Sequence, residues 1–269
     1  MTDLSEILLR PWRQLAWLLA AALCMVGAAR AQTEIDPPGR VGRVADVAGP
    51  VWWFDLQEGR WTKAQRNRPV TAGDRLSTGR DARAELRIGS TTVKMAEGTE
   101  LEMLRLDDER VRIQLHRGSV ALRLRSSEVA AETQFGTDEA WLQPLRGGLY
   151  RLDRDDDTTF AASWRGELRV TDEAGLDVEG GRRLQLWREG PSRQLRHRWA
   201  SVLDDAFAAR VLREDRDDER TASAAYVSPE MTGFEDLDRN GRWDQHPEYG
   251  PVWTPLTVRS DWAPYRQGQ

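Results

Sequence analysis

The chain is almost without cysteine: of 269 residues only Cys24 carries a thiol. Lysine is nearly absent as well, with Lys63 and Lys94 set against a basic complement that is otherwise all arginine. Histidine is limited to His116, His197 and His246. Because Cys24 lies in the apolar N-terminal run, the chain beyond it can hold no disulfide, no thiol nucleophile and no thiolate metal site. The histidines are far apart and form no H-x-x-x-H pair, which argues against a zinc site. No G-x-S-x-G elbow and no glycine-rich phosphate loop precedes a helix, so no enzyme is visible. A net charge of −5 leaves no basic footprint for nucleic acid.

What is present begins with the N-terminus. Arg10 and Arg13 precede the apolar run 15–29, "LAWLLAAALCMVGAA", and Ala29-Arg30-Ala31 supplies small residues at the two checked positions. This pattern predicts a secretory signal peptide, 1–31, cut after Ala31. The run is short for a membrane span, which needs about 20 apolar residues, so no stable span is expected after cleavage. The expected location is the periplasm or the exterior. Residues 32–40, with Pro37-Pro38-Gly39, read as a linker.

From 41 to 190 the pattern is short strands of period two. "ARAELRI" places Ala82, Ala84, Leu86 and Ile88 on one face and Arg83, Glu85 and Arg87 on the other. "VRIQL" and "VALRLR" read as a pair turning at Arg117-Gly118. Such runs, about ten residues apart, predict a mainly β fold, an antiparallel sandwich or roll. Helical signal is read only after Pro191, over 198–217, with Leu203, Phe207 and Val211 at i, i+4 and i+8. This helical segment spans 191–221, and its end, "REDRDDER" (213–220), reads as solvated. The tail 222–269 mixes prolines with aromatics, which predicts an extended segment packed on a surface.

Candidate sites are few. "VWWF" puts Trp52 and Trp53 on opposite faces of one strand. With Trp253, Trp262 and Tyr265 of the tail they are the candidate binding aromatics. The tail also spells a calcium-loop look-alike: Asp236, Asp238, Asn240, the carbonyl of Arg242 and Asp244 fit positions 1, 3, 5, 7 and 9, with Gly241 at the turn. Position 12 is Pro247 instead of the closing glutamate. The carboxylates of Asp107-Asp108 and Asp155-Asp156-Asp157 fall at expected turns. No other cofactor is suggested.

The stretch from "VGRVADVAGPVWWF" through "GDRLSTGRDARAELRIG" to "LHRGSVALRLR" resembles the FecR domain. Gly42, Val44, Gly49, Val51, Gly73-Asp74, Leu76, Gly79, Ala82, Leu86, Gly89, Leu101, Leu115, Gly118 and Leu122 carry the likeness. "AAYVSPEMTGFEDLD" and "WAPYR" resemble the tail of exported bacterial FecR-domain proteins that are mostly uncharacterised. The resemblance implies a β-rich module that binds protein. The best-known members also control a sigma factor from a cytoplasmic part; only nine residues precede Arg10, so that role is not carried over. The expected function is a non-enzymatic protein-interaction or sensing module of the bacterial envelope, with an envelope protein or cell-wall component as partner. A glycan- or peptidoglycan-binding module is the alternative, and a single-loop calcium protein a third.

Overall fold

The computed structural model describes residues 39–56, 58–172, 175–228, 231 and 233–257, without the side chain of Glu235. The proposed signal peptide, Trp262 and Tyr265 lie outside these residues.

The period-two strands form two layers. The first contains β1 (Gly42–Ala48), β4 (Pro69–Val70), β6 (Arg83–Ile88), β7 (Thr91–Met95), β12 (Gly148–Asp155), β13 (Thr158–Arg165), β16 (Arg182–Glu189) and β17 (Gln194–Ala200). The second contains β2 (Val51–Asp55), β3 (Arg60–Lys63), β5 (Arg75–Thr78), β8 (Glu100–Leu106), β10 (Thr133–Gly136), β11 (Trp141–Pro144), β14 (Glu167–Val170) and β15 (Asp177–Glu179). β9 (Val111–Leu124) belongs to both. The order in the first layer is β4-β1-β6-β7-β9-β12-β13-β16-β17. In the second it is β3-β2-β5-β8-β9-β10-β11-β14-β15. The fold is therefore mainly β and antiparallel, as expected.

β9 corrects one expectation. "VRIQL" and "VALRLR" are not a hairpin but one 14-residue strand that passes from one layer to the other. Its first half pairs β8 and β10, its second half β7 and β12. The change of layer occurs at Gly118, which has φ +85°. A Cβ there would sit 2.6 Å from Thr99 Cα, so only glycine fits. The β9–β10 pairing is parallel and needs a crossover. A short helix, α1 (Ser127–Glu132), lies in that connection, capped by Ser126 Oγ. It is a helix before Pro191, where none was expected; the N-cap serine was its signal.

The inward residues of both layers make one apolar core, from Val44, Leu86, Met95 and Leu122 to Leu76, Leu101, Ile113 and Phe135. Each such fully buried side chain stabilises by about 1.5–3 kcal/mol. After β17 comes α2 (Ala206–Glu219). Residues 198–200, predicted helical, instead extend β17 along β16. The tail is also more regular than its prolines suggest. It holds two 3₁₀ turns (Ala222–Ala225 and Phe234–Asp236), the single turn α3 (Leu237–Asn240), and a hairpin of β18 (Gly241–His246) and β19 (Gly250–Pro255). Among the described residues, no helix is long and apolar enough to cross a membrane.

Candidate interaction surfaces

The outer edge of the second layer is β3, paired only to β2 among the described strands. Register sets Phe54 opposite Trp61 and Trp52 opposite Lys63, so Trp52, Phe54 and Trp61 share the outward face. Phe54 and Trp61 meet edge-on with ring centroids 5.3 Å apart. Trp52 and Trp61 are 38% and 39% exposed, and Leu56 in the connecting turn 59%. Trp53 points the other way, packs on the core and donates from Nε1 to Asp74 Oδ1 at 2.7 Å. Arg68 lies over its ring. The Gly73-Asp74 pair is thus structural: Gly73 has φ +88°, and Asp74 accepts from Thr71 N at 2.7 Å. Beside the aromatics the outward face becomes ionic, with Arg75 bonded to Glu100 and His116 Nε2 2.7 Å from Glu102.

The outward face of the first layer is cationic and covered. Register lines up Arg87, Thr92, Arg123, Leu149 and Arg165 across five strands, and Glu85, Lys94, Ala121, Arg151, Ala162 and Arg183 across six in the neighbouring row. Helix α2 lies over them with its acidic side down. Lys94 Nζ donates to Glu214 at 2.8 Å, Arg87 Nη2 to Asp218 at 3.1 Å, and Arg123 Nη2 to Glu219 at 3.1 Å. Asp215 is 6% exposed between Arg165, which bonds it directly, and Arg123, whose Nε is 2.9 Å away. Burial alone would lower the Lys94 ammonium, yet Glu85 and Glu214 hold it above its ordinary value. Glu85 is pulled below its own because Arg87 and Lys94 outweigh the cost of its burial. "REDRDDER" is therefore not a solvated end. Its acids at 214, 215, 218 and 219 face arginines and a lysine. Leu203, expected on the apolar face, precedes the helix and is exposed. The apolar seat is small: Val211 against Ala121 and Leu149, with Phe207, Leu212 and Trp164 at its rim.

This interface was the main feature the sequence reading missed. Its signal was present. The outward positions of "ARAELRI", "VALRLR" and "LYRLD" carry Arg87, Arg123 and Arg151, and the only dense acidic run with helical spacing comes later.

In the tail the look-alike loop spreads its carboxylates over separate partners. Asp236 takes Arg66 Nη2 at 2.6 and 2.7 Å. Asp238 accepts from Ala222 N at 2.6 Å, Ser223 N at 3.1 Å and Ser223 Oγ. Asn240 donates its amide to Asp236 O, and Asp244 on β18 pairs with Arg242. The four do not converge, and no group of three potential ligands gathers among the described residues; this donor set does not fit a calcium ion. Trp253 is half-buried and donates to Leu237 O at 3.1 Å. Trp243 donates to Ser223 Oγ at 2.8 Å and packs against Tyr226 with the rings tilted by 32°. These indoles hold the tail together, and the Asp236–Arg66 bond ties it to the β layers.

The family of unknown function DUF6600 matches residues 234–269, beginning in this turn and running through the hairpin. No curated protein matches. Two crystal structures, each described as that of a candidate anti-sigma factor from Parabacteroides distasonis ATCC 8503, at 1.65 and 2.50 Å resolution, are similar. The first has TM-score 0.38 and 12% identity and covers 47% of this chain. The second has TM-score 0.38 and 11% identity and covers 68%. This chain spans 60% of the first and 99% of the second.

Proposed function

We propose that this chain is a non-enzymatic, exported module of the bacterial cell envelope that binds another protein along the free edge of β3. The carrying observation is that Trp52, Phe54 and Trp61 share one face beside a strand paired on one side only. An open edge offers main-chain hydrogen bonds to an added strand, and the rings beside it offer apolar anchors. Half-exposed tryptophans are the residue type that dominates interface energetics. Arg60 and Lys63 put charge on β3, a feature that disfavours pairing of an edge with copies of itself. The export part of the proposal is supported by the pattern of residues 1–31, with the periplasm or the exterior as the proposed location.

The same two tryptophans favour a second reading, a glycan- or peptidoglycan-binding platform, since aromatic faces also stack on sugars. The two separate cleanly. Protein from which residues 1–31 have been removed is incubated with envelope extract and with purified cell-wall sacculi, beside Trp52→Ala and Trp61→Ala. The protein-binding reading expects capture of a discrete envelope protein that both variants lose, and no sedimentation with sacculi. Sedimentation lost in the variants would favour the glycan reading. Finding the native protein only in the cytosol would contradict both.

A further inference from the structure

The main apolar core draws on strands, with Ala130 of α1 and Ala64, Ala82 and Ala140 of loops, and its buried residues include none of α2. Helix α2 is seated separately, on Ala121 and Leu149 through Val211. Phe207 and Leu212 of the helix and Trp164 of β13 rim that seat, and ion pairs run to Arg87, Lys94, Arg123 and Arg165, with Asp205 at its start bonded to Arg151. An element held in this way can leave without baring a large apolar surface. What it uncovers is a cationic sheet, which water and salt solvate well.

The face is also not filled by α2. Arg125 follows Arg123 at the end of β9, and its Nε is buried without a hydrogen-bond partner. Ser90 and Thr92, 5% and 1% exposed, likewise have hydroxyls without partners. Register puts Thr92 directly beside Arg123. Burial first, then the guanidiniums of Arg123 and Arg87, lower the pKa of Arg125, and Asp218 and Asp215 offset this only in part. Buried donors of this kind normally find acceptors.

We propose that the outward face of the first layer is a docking site for an acidic amphipathic helix of a partner protein, and that α2 occupies it in cis as a competing occupant. The required partner chemistry is read from α2: carboxylates at i, i+1, i+4 and i+5 over the arginine row, and one β-branched or leucine side chain for the notch at Ala121 and Leu149. A partner helix with a further acid past the position of Glu219 would also reach Arg125. This site is separate from the β3 edge, so either can fail without the other.

The probe is a labelled synthetic peptide of residues 204–221, followed by anisotropy. The full chain is compared with the triple variant Asp215→Asn, Asp218→Asn, Glu219→Gln, in which α2 is released. The variant should bind the peptide at least about tenfold more tightly than the unaltered chain. Raising NaCl from about 50 to about 500 mM should abolish that binding, because the contacts are screened. A scrambled peptide of the same composition should not bind. Equal binding by both chains, or equal binding of the scrambled peptide, would overturn the proposal. If the variant does not fold, hydrogen exchange on the unaltered chain decides. Amides of α2 should exchange at least about tenfold faster over the same salt range while β9 and β12 stay protected. Exchange of α2 that moves only with the strands would overturn it.

Discussion

Arg151 of β12 grips Asp205 through two parallel hydrogen bonds, Nη1 to Oδ1 and Nη2 to Oδ2, both 2.8 Å. The same carboxylate accepts from Ala208 N at 2.8 Å and so caps the first turn of α2. One side chain therefore starts the helix and fixes its start to the sheet. Both tasks need the charged form of Asp205, because a bidentate arginine and a helix N-terminus each favour an anion.

The consequence is a pH dependence of definite sign. The Arg151 guanidinium, helped by Ala208 N, holds the Asp205 carboxyl below the usual aspartate range. A depressed folded value means that the stabilisation is fully present above the unfolded value of about 3.9 and is lost as pH falls through the folded one. Carboxyl-carbon NMR should find Asp205 titrating below the ordinary aspartate value, and Arg151→Ala should raise it toward that value, with the Ala208 N–H still holding it somewhat lower. An unchanged titration in the variant would mean that the clamp does not set it.

Gly118 should tolerate no side chain. Its φ is +85° and a Cβ would meet the Thr99 backbone. Positive φ alone costs a residue about 1–2 kcal/mol, and the close approach adds to it. Gly118→Ala should lower unfolding free energy in urea by at least about 2 kcal/mol. A neutral result would mean that β9 changes layer by some other bend.

Asp238 should behave as a cap and not as a metal ligand. Asp238→Ala orphans the amides of Ala222 and Ser223, at a cost of about 1–2 kcal/mol confined to the tail. The indole N–H signal of Trp243 should shift, since its acceptor Ser223 Oγ loses its own partner. Millimolar calcium should leave that signal unchanged in the unaltered chain. A calcium-dependent shift would reinstate Asp236, Asp238, Asn240 and Asp244 as ligands.

Much of the fold was legible because period-two alternation is a local signal. "ARAELRI" gave β6 its buried face directly. What alternation cannot convey is what covers the polar face. Arg87 reads as outward and is outward, yet it is buried, because an acidic helix more than a hundred residues later lies on it. The β9 error has a similar origin: Gly118 signals positive φ, and a strand that changes layers uses glycine just as a hairpin does. The tail misled in two ways. Its prolines, Pro251 and Pro255, sit in a two-stranded hairpin, where each strand keeps one unpaired side that needs no N–H. The spacing of Asp236 to Asp244 matched a ligand loop, but Asp238 is spent on capping the turn at Ala222 and Ser223. At the β3 edge the sequence suggested Trp52 and Trp53. The structure turns Trp53 inward onto Asp74 and brings in Trp61, which no local pattern singles out.

The central claim, a protein-binding edge at β3, is tested most directly by a photo-crosslinking residue placed at position 63 of the full chain in living cells, opposite Trp52 on β3 and leaving both tryptophans in place. The account predicts one discrete protein adduct, lost when Trp52 is changed to alanine while thermal unfolding is unaltered. Adducts to no protein, or an adduct indifferent to Trp52→Ala, would contradict it.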